Sequence, residues 1–155
     1  MDMSREEIQD FLNRNIFKLI SEVADRMELD CYVIGGYVRD FFLYRSSKDI
    51  DIVAVGKGIA LAEAVASALG PRTKLSVFKN FGTAQLKYKD FEIEFVGARK
   101  ESYTHDSRNP VVEDGTLEDD QKRRDFTINA MAFCLNKNRF GELLDPFNGL
   151  QDLQD

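Results

Sequence analysis

The sequence predicts a single α+β domain in which a mixed, mostly antiparallel sheet is flanked by helices. Its 155 residues are enough for one domain with a buried core. Hydrophobic residues make up 43% and charged residues 31% of the chain, and this composition excludes disordered and fibrous proteins. Short runs of strand-forming residues alternate with segments of helical periodicity, and two of these runs are close enough to form an antiparallel hairpin.

The first elements are a helix, a strand, a glycine turn and a second helix. Apolar residues recur at helical spacing over residues 5–28, after a capping box of Ser4 and Glu7, which predicts a long amphipathic helix packed on the domain. Residues 31–34 are predicted to form a strand that ends at a glycine pair, and residues 37–44 have helical character.

The middle of the chain supplies most of the sheet. Residues 49–55 alternate polar and apolar side chains, which predicts a half-buried strand with Asp49 and Asp51 on one face. An alanine-rich helix over residues 59–69 ends at Gly70. Three more strands are predicted at residues 75–78, 83–89 and 91–96, the last two forming the hairpin.

The last third of the chain contains a long segment without periodicity, a helix and a short strand. Residues 97–117 are predicted to be a mobile loop, because no apolar period runs through them. Residues 118–135 are predicted to be helical, with acidic residues at the positive end of the helix dipole. A strand near residues 142–144 is followed by DPFNGLQDL, which begins another element.

Charge and composition narrow the classes of function. The net charge is −6, which argues against a nucleic-acid-binding surface that covers the whole domain. The excess acid lies at the two ends, so a local anion site in the middle is compatible with it. A single histidine excludes two-histidine metal signatures, and two distant cysteines predict reduced thiols. With no long apolar run and an acidic N-terminus, the sequence predicts a cytoplasmic protein without membrane contact.

The first group of residues that could carry chemistry is Asp49 and Asp51. Two carboxylates two positions apart on a strand reach a common ion, and oxygen ligands suit Mg²⁺ or Mn²⁺. Two ions held by shared carboxylates are a common arrangement for phosphoryl transfer. The alternative is a strand edge with two solvated acids, and a Mn²⁺-dependent glycosyltransferase is a second enzymatic interpretation of the same motif.

The second group is the turn at Gly35 and Gly36, with Arg39 in the helix that follows. Backbone N–H groups of such a turn, the helix dipole and the guanidinium favour a phosphate. The alternative is a plain turn with a surface arginine.

The third group is RRDFTINAM at residues 123–131. In the predicted helix, Asp125 and Asn129 share a face beside a buried apolar strip, and a ribose with its triphosphate could satisfy them and Arg124. The alternative is an arginine and an aspartate that pair with each other or with water.

Together the motifs resemble the head domain of tRNA nucleotidyltransferases, the CCA-adding enzymes of the bacterial and eukaryotic class. These enzymes belong to the polymerase β-like superfamily, which also contains bacterial poly(A) polymerases. The resemblance runs from Cys31 to the end of the chain. It rests on six segments in the family's order, namely GGYVRD (35–40), DID (49–51), FGT (81–83), EFVGARKESY (94–103), RRDFTINAM (123–131) and DPFNGLQDL (145–153).

The resemblance implies the polymerase β-like nucleotidyltransferase fold and a set of site residues. Asp49 and Asp51 would bind two Mg²⁺ ions, with Mn²⁺ as a possible substitute. Glu94 would be the third catalytic carboxylate, with Glu92 as the alternative. The resemblance also implies nucleotide-binding roles for Gly35, Gly36, Arg39, Arg124, Asp125 and Asn129. For residues 145–153 we expect a structural role, as a turn that leads to the next domain.

The implied activity is template-independent addition of C and A to tRNA 3′ ends from CTP and ATP, with release of pyrophosphate. In this family, base selection and tRNA binding involve neck, body and tail domains. We therefore expect residues 1–30 to be a packed helix and residues 31–155 a head-domain fragment, with the tRNA 3′ end held through domains absent from this chain. The alternatives are a bacterial poly(A) polymerase, whose GRRF-like segment has no counterpart in VFKNF at residues 77–81, and a non-catalytic nucleotide-binding module.

Overall fold

The computed structural model describes residues 16–43, 47–102, 111–114, 116–122 and 129–154. Their helices are α1 Ile16–Arg26, α2 Gly36–Phe42, α3 Gly58–Leu69, α4 Leu117–Lys122 and α5 Gly149–Gln154, with 3₁₀ turns at Lys79–Phe81 and Lys137–Arg139. Their strands are β1 Asp30–Ile34, β2 Asp49–Val55, β3 Lys74–Phe78, β4 Thr83–Tyr88, β5 Phe91–Gly97, β6 Arg99–Ser102, β7 Val111–Asp114, β8 Ala132–Cys134 and β9 Leu143–Leu144.

Seven strands form one mixed sheet in the order β3-β4-β5-β2-β1-β8-β9. Every neighbouring pair is antiparallel except β2 and β5, which run parallel at the centre. Strands β6 and β7 form a separate antiparallel pair. The predicted α+β class with a mostly antiparallel sheet is therefore confirmed.

Two apolar clusters cover the two faces of the sheet. Helices α1, α2 and α3 supply Ile20, Phe42 and Leu61 to the larger cluster, where these side chains are at most 1% exposed. The smaller cluster on the opposite face contains Tyr32 and Val53, with Leu117 of helix α4 packed among them. Successive side chains of a strand point to opposite faces, so the central strands contribute residues to both clusters.

Helix α3 begins unusually close to the sheet. An ideal Cβ on Gly58 would lie 2.5 Å from the backbone carbon of Val96 and 2.6 Å from the backbone nitrogen of Gly97. An ideal Cβ on Gly97 would lie 2.9 Å from the carbonyl oxygen of Gly56. Glycine at positions 58 and 97 therefore permits backbone-to-backbone contact between the start of α3 and the end of β5.

Two predictions from the sequence are wrong. The segment 97–117 is not a continuous loop, because Arg99–Ser102 and Val111–Asp114 pair as β6 and β7. The segment 118–135 is not one helix, because α4 ends at Lys122 and Ala132–Cys134 forms strand β8 beside β1. Strands β6 and β7 have four residues each, which is too short to establish a period, and β8 has three. Periodicity cannot separate a short buried strand such as β8 from a helical segment.

Part of the predicted N-terminal helix is confirmed. Residues 16–26 are helical, and the preceding part of that prediction, residues 5–15, lies outside the described residues. In the ranges that the structure describes, no helix combines the length and the apolar character needed to cross a bilayer.

Candidate active site

Four carboxylates share one face of the two central strands. The parallel register of β2 and β5 places Asp49 beside Glu92 and Asp51 beside Glu94. Paired residues of adjacent strands project to the same side, and the intervening Ile50, Ile52, Ile93 and Phe95 are buried on the other side. We call the side with the four acids the carboxylate face. Asp49 and Glu92 are exposed there, and Asp51 and Glu94 are half-buried.

The glycine turn lies directly beyond this row of acids. Ile34, the last residue of β1, pairs with Asp51 on one side and with Ala132 on the other. Gly35 follows with φ 85° and ψ −140°, which an L side chain rarely adopts, and its N–H donates to the Met131 carbonyl at 3.2 Å. The turn is therefore fixed between the acidic strand β2 and strand β8.

Arg39 connects the glycine turn to the end of the third motif. Its Nε donates to Oδ1 of Asp40 at 3.0 Å, and its Nη1 donates to Oδ1 of Asn129 at 3.0 Å. A Cβ on Gly36 would lie 3.3 Å from Nη2 of Arg39, so the guanidinium lies over the turn. Two residues implied to bind nucleotide, 90 positions apart in the sequence, are thus in direct contact.

The structure brings together most of the implied site residues but not all of them. Gly35, Gly36, Arg39 and Asn129 lie around the turn, and the acids lie on the adjacent strands. Arg124 and Asp125 lie outside the described residues, so their roles stay predictions.

The chemistry of these acids suits a hard divalent cation. Carboxylate oxygens are the ligands that Mg²⁺ prefers, and neighbouring strands are only about 4.8 Å apart. Among the described residues, however, no three acidic, histidine or cysteine side chains converge closely enough to form a ready coordination shell. Ion binding at Asp49 and Asp51, with Glu94 or Glu92 beside them, would therefore require the acidic side chains to change rotamer.

Three buried titratable groups of the sheet, Cys31, Cys134 and Tyr32, are unsuited to nucleophilic or acid–base chemistry at neutral pH. Burial raises the pKa of the Cys31 thiol and, to a smaller extent, that of the Cys134 thiol. Burial also raises the pKa of Tyr32 to about 12. Both cysteines are free, as predicted, and protonated thiols are poor nucleophiles. These two thiols and the Tyr32 hydroxyl are therefore not candidates for a catalytic nucleophile or base.

Two buried amides with structural hydrogen bonds were missed in the sequence, and the first of them lies beside the site. The side chain of Gln121 in α4 donates to the carbonyl of Ala130 at 2.8 Å and to that of Leu144 at 3.1 Å. These bonds fix the backbone next to Asn129 and hold α4 against strands β8 and β9. In the sequence, only the absence of charge distinguishes Gln121 from the acidic and basic residues around it.

The second amide is Asn136, which follows β8. Its Oδ1 accepts from the N–H of Cys31 at 2.8 Å, and its Nδ2 donates to Oδ1 of Asp25 at 3.0 Å and to the carbonyl of Leu29 at 2.8 Å. Asn136 thereby joins α1, β1 and β8 at the end of the sheet away from the glycine turn. It has no motif in the sequence that would identify it.

Asp145 has a structural contact in the last motif. Its two carboxylate oxygens accept hydrogen bonds from the backbone N–H groups of Gly149 and Leu150, at 2.6 and 2.9 Å. These are unsatisfied donors of the first turn of helix α5, so Asp145 caps that helix.

Comparison with known proteins identifies the family. The sequence model described as the poly A polymerase head domain matches residues 31–155. This chain belongs to the poly A polymerase head domain family. The family membership confirms the resemblance seen in the sequence and removes the glycosyltransferase alternative. Nucleotidyltransferases of this type generally use divalent metal ions.

Individual proteins that are similar to this chain support the same family assignment. The A-adding tRNA nucleotidyltransferase of Aquifex aeolicus is 43% identical over 127 residues, which are 82% of this chain and 15% of that protein. The structure of a CCA-adding enzyme in an apo form matches 99% of this chain and 38% of its own, at 35% identity and a TM-score of 0.85. A tRNA nucleotidyltransferase in complex with a primer tRNA and an incoming ATP analogue matches 88% of this chain and 36% of its own, at 40% identity and a TM-score of 0.77. This poly A polymerase head domain thus spans well under half of each relative.

Proposed function

We propose that this head domain carries the chemistry of a tRNA nucleotidyltransferase that adds nucleotides of the CCA end to tRNA. The substrates would be CTP and ATP together with the tRNA 3′ end, and the products an extended RNA and pyrophosphate. The observation that carries the proposal is the parallel register of β2 and β5, which lines up Asp49 and Asp51 with Glu92 and Glu94 beside the glycine turn. Cytoplasmic localisation is part of the same proposal.

The residues around the turn would bind the nucleotide. The Arg39 guanidinium and the N–H group of Gly36 present positive charge and a donor to the triphosphate. Gly35, whose own N–H is bonded to the Met131 carbonyl, holds the turn that presents them. Asn129, held against Arg39, would contact the ribose, and Arg124 and Asp125 would complete that contact. In this orientation the α-phosphorus would lie over the carboxylate face.

Asp49, Asp51 and Glu94 would hold two divalent ions, with Mg²⁺ as the preferred metal. Bound there, the ions would lower the pKa of the RNA 3′-hydroxyl and neutralise charge on the pyrophosphate. The 3′-hydroxyl would give its proton to solvent water and its oxygen would attack the α-phosphorus. A new P–O bond would form, and the bond between the α-phosphorus and the bridging oxygen of pyrophosphate would break. We assign the third ligand to Glu94 because it is the register partner of Asp51 and, like it, is half-buried.

Base specificity is the open part of the proposal. The relatives include proteins named A-adding and a protein of Deinococcus radiodurans named CC-adding, at 41% identity. The groups that we assign here address phosphate, ribose and metal, which all four nucleoside triphosphates share. A poly(A) polymerase and a non-catalytic nucleotide-binding module with this fold are the remaining alternatives.

The decisive experiment is Asp51→Asn in the polypeptide that carries this head domain, with Glu63→Gln as the matched control. Glu63 is an exposed acid of α3, away from the carboxylate face. We expect Asp51→Asn to lower the addition of labelled CMP and AMP to tRNA lacking its CCA end by at least about 100-fold, or ~2.7 kcal/mol. Addition by Asp51→Asn within tenfold of wild type would contradict the metal-ligand assignment. Nucleotide binding by wild type without any transfer would favour the non-catalytic module.

A further inference from the structure

The hairpin of β3 and β4 has a charge unlike that of the rest of the chain. Between residues 71 and 89 there are five basic side chains and no acidic one, although the chain as a whole has a net charge of −6. The five are Arg72, Lys74, Lys79, Lys87 and Lys89, and all of them are exposed. We call residues 71–89 the basic hairpin. A cluster of cations without acids is typical of a surface that binds phosphates.

The same hairpin carries the exposed large apolar side chains found among the described residues. Val77 is 37% exposed, Phe78 44% and Phe81 70%. Such residues scattered singly need no explanation, but these three lie within five positions of one another. Proteins that bind single-stranded nucleic acids combine exposed aromatic rings with cations, because every base has a face that stacks on a ring.

Register places this surface beside the candidate active site. Lys74 pairs with Lys87, which pairs with Glu92, which pairs with Asp49. These four residues therefore form one row across four strands, on the carboxylate face. The row changes from acidic on β2 and β5 to basic on β4 and β3.

Phe78 lies on the same face, at the other end of the hairpin. It pairs with Thr83, and Thr83 pairs with Val96 of β5. Strands are about 4.8 Å apart, so β3, three strands from β2, lies about 14 Å across the sheet from the Asp51 strand. Val77 is the neighbour of Phe78 in β3 and points to the opposite face.

We propose that the basic hairpin binds the single-stranded 3′ end of the RNA primer and leads it to the carboxylate face. Phe78 and Phe81 stack on bases, and Lys74 and Lys87 bind backbone phosphates. The inference rests on the proposed function, which requires a 3′-hydroxyl at the α-phosphorus. The acids of β2 and β5 repel a phosphate backbone, and the lysines of β3 and β4 attract it. The charges therefore hold the backbone on the hairpin, with the terminal 3′-hydroxyl as the part that extends to the neighbouring acids.

A second copy of the chain is a poorer occupant of this surface. Strand β3 is an edge strand and could pair with another edge, but two hairpins of this kind would bring ten cations together without an acid. Exposed lysines on an edge strand oppose such pairing. An RNA strand supplies the complementary charge and the stacking partners at once.

The test measures RNA binding in the absence of catalysis. The 155-residue chain is titrated in EDTA against a fluorescent single-stranded RNA of about ten nucleotides, and anisotropy is followed at several salt concentrations. We expect Phe78→Ser and Phe81→Ser each to weaken binding about tenfold. The double variant Lys74→Gln/Lys87→Gln should lower the salt slope by about 1.4, because each phosphate contact on a single strand contributes about 0.7. The controls Val77→Ser and Lys57→Gln should stay within twofold of wild type.

Several outcomes would overturn the inference. The inference is wrong if wild type does not bind the RNA at low salt, or if both phenylalanine variants bind it as wild type does. It is also wrong if the control variants lose binding to the same extent as the phenylalanine variants. Concentration-dependent dimers in sedimentation that the phenylalanine variants abolish, without RNA binding, would assign the surface to a second copy. Thermal melts of each variant within a few degrees of wild type exclude unfolding as the cause.

A parallel transfer assay separates this inference from the proposed function. If Asp51→Asn is inactive while Phe78→Ser and Phe81→Ser keep the primer KM of wild type, the hairpin inference fails and the function stands. If the hairpin binds RNA as expected but wild type transfers no nucleotide, the function fails and the RNA surface stands.

Discussion

The first residue of helix α3, Gly58, has no room for a side chain. Replacing it with alanine would put a methyl group 2.5 Å from the Val96 backbone carbon, 2.6 Å from the Gly97 nitrogen and 2.8 Å from the Val96 oxygen. Contacts between unbonded carbon atoms are optimal at about 3.5–4.0 Å, so the helix and strand β5 would have to separate by roughly 1 Å. All three atoms belong to the backbone, and no side chain can rotate away to absorb the methyl group.

The expected loss of stability in Gly58→Ala is the balance of two opposing effects. Overpacking of a well-packed interior costs about 1–3 kcal/mol. Alanine in place of glycine inside a helix gains up to about 1 kcal/mol, and less at a first residue such as Gly58. We therefore expect Gly58→Ala to lower the free energy of unfolding by about 1–2 kcal/mol, which is a fall in Tm of roughly 2–8 °C for a domain of this size.

The measurement is urea unfolding followed by far-ultraviolet circular dichroism, with Gly36→Ala as the control. Gly36 is also the first residue of its helix, but a Cβ there would meet only the flexible end of Arg39, at 3.3 Å. We expect the control to lose less than about 0.5 kcal/mol. A Gly58→Ala protein with the midpoint of wild type, or a higher one, would refute the close contact between α3 and β5.

Three further predictions concern pH, a helix cap and nucleotide choice. Burial raises the pKa of Cys31 above its ordinary 9.0, so the stability that this thiol contributes should be fully present below pH 9 and be lost above it at about 1.4 kcal/mol per pH unit. Urea midpoints of Cys31→Ala should therefore fall less steeply above pH 9 than those of wild type. Asp145→Ala should lower the free energy of unfolding by about 1 kcal/mol, because it removes the cap of helix α5. The control Glu63→Ala should leave it unchanged, and equal urea midpoints for the two variants would contradict the capping role of Asp145. Calorimetric titration with Mg²⁺ and each of the four nucleoside triphosphates should show weak binding with less than tenfold preference, and a larger preference would place base selection within this chain.

The local pattern of the sequence predicts most of the central sheet. Strand β2 has the predicted bounds, because Asp49 and Asp51 alternate with the buried Ile50 and Ile52 and the strand-forming residues 53–55 continue the run. The sequence also predicted that Gly35 and Gly70 lie at the ends of elements, because glycine tolerates a backbone conformation that other residues rarely adopt. Both glycines have a positive φ in the structure.

The failures occur where structure depends on distant partners. Strand β8 is a strand because Ala132 and Phe133 are inserted beside β1, and within the sequence alone that apolar run fits a helix equally well. The contact of Arg39 with Asn129 and the parallel register of Asp51 with Glu94 are tertiary pairings. The resemblance to a known family, and no local signal, pointed to these residues as one site.

The contact between Arg39 and Asn129 also determines when the site can exist. Arg39 and Asn129 are 90 positions apart in the sequence. The acids that complete the site lie on β2 and β5, two strands that fall between them along the chain. Pairings between such distant segments form slowly, because the entropy of closing the intervening chain is lost before the contact is gained. A chain still on the ribosome could not bind a nucleotide at this turn in the native way until residue 129 had emerged. The nucleotide site of this protein therefore cannot form before the segments that carry Arg39 and Asn129 have come together.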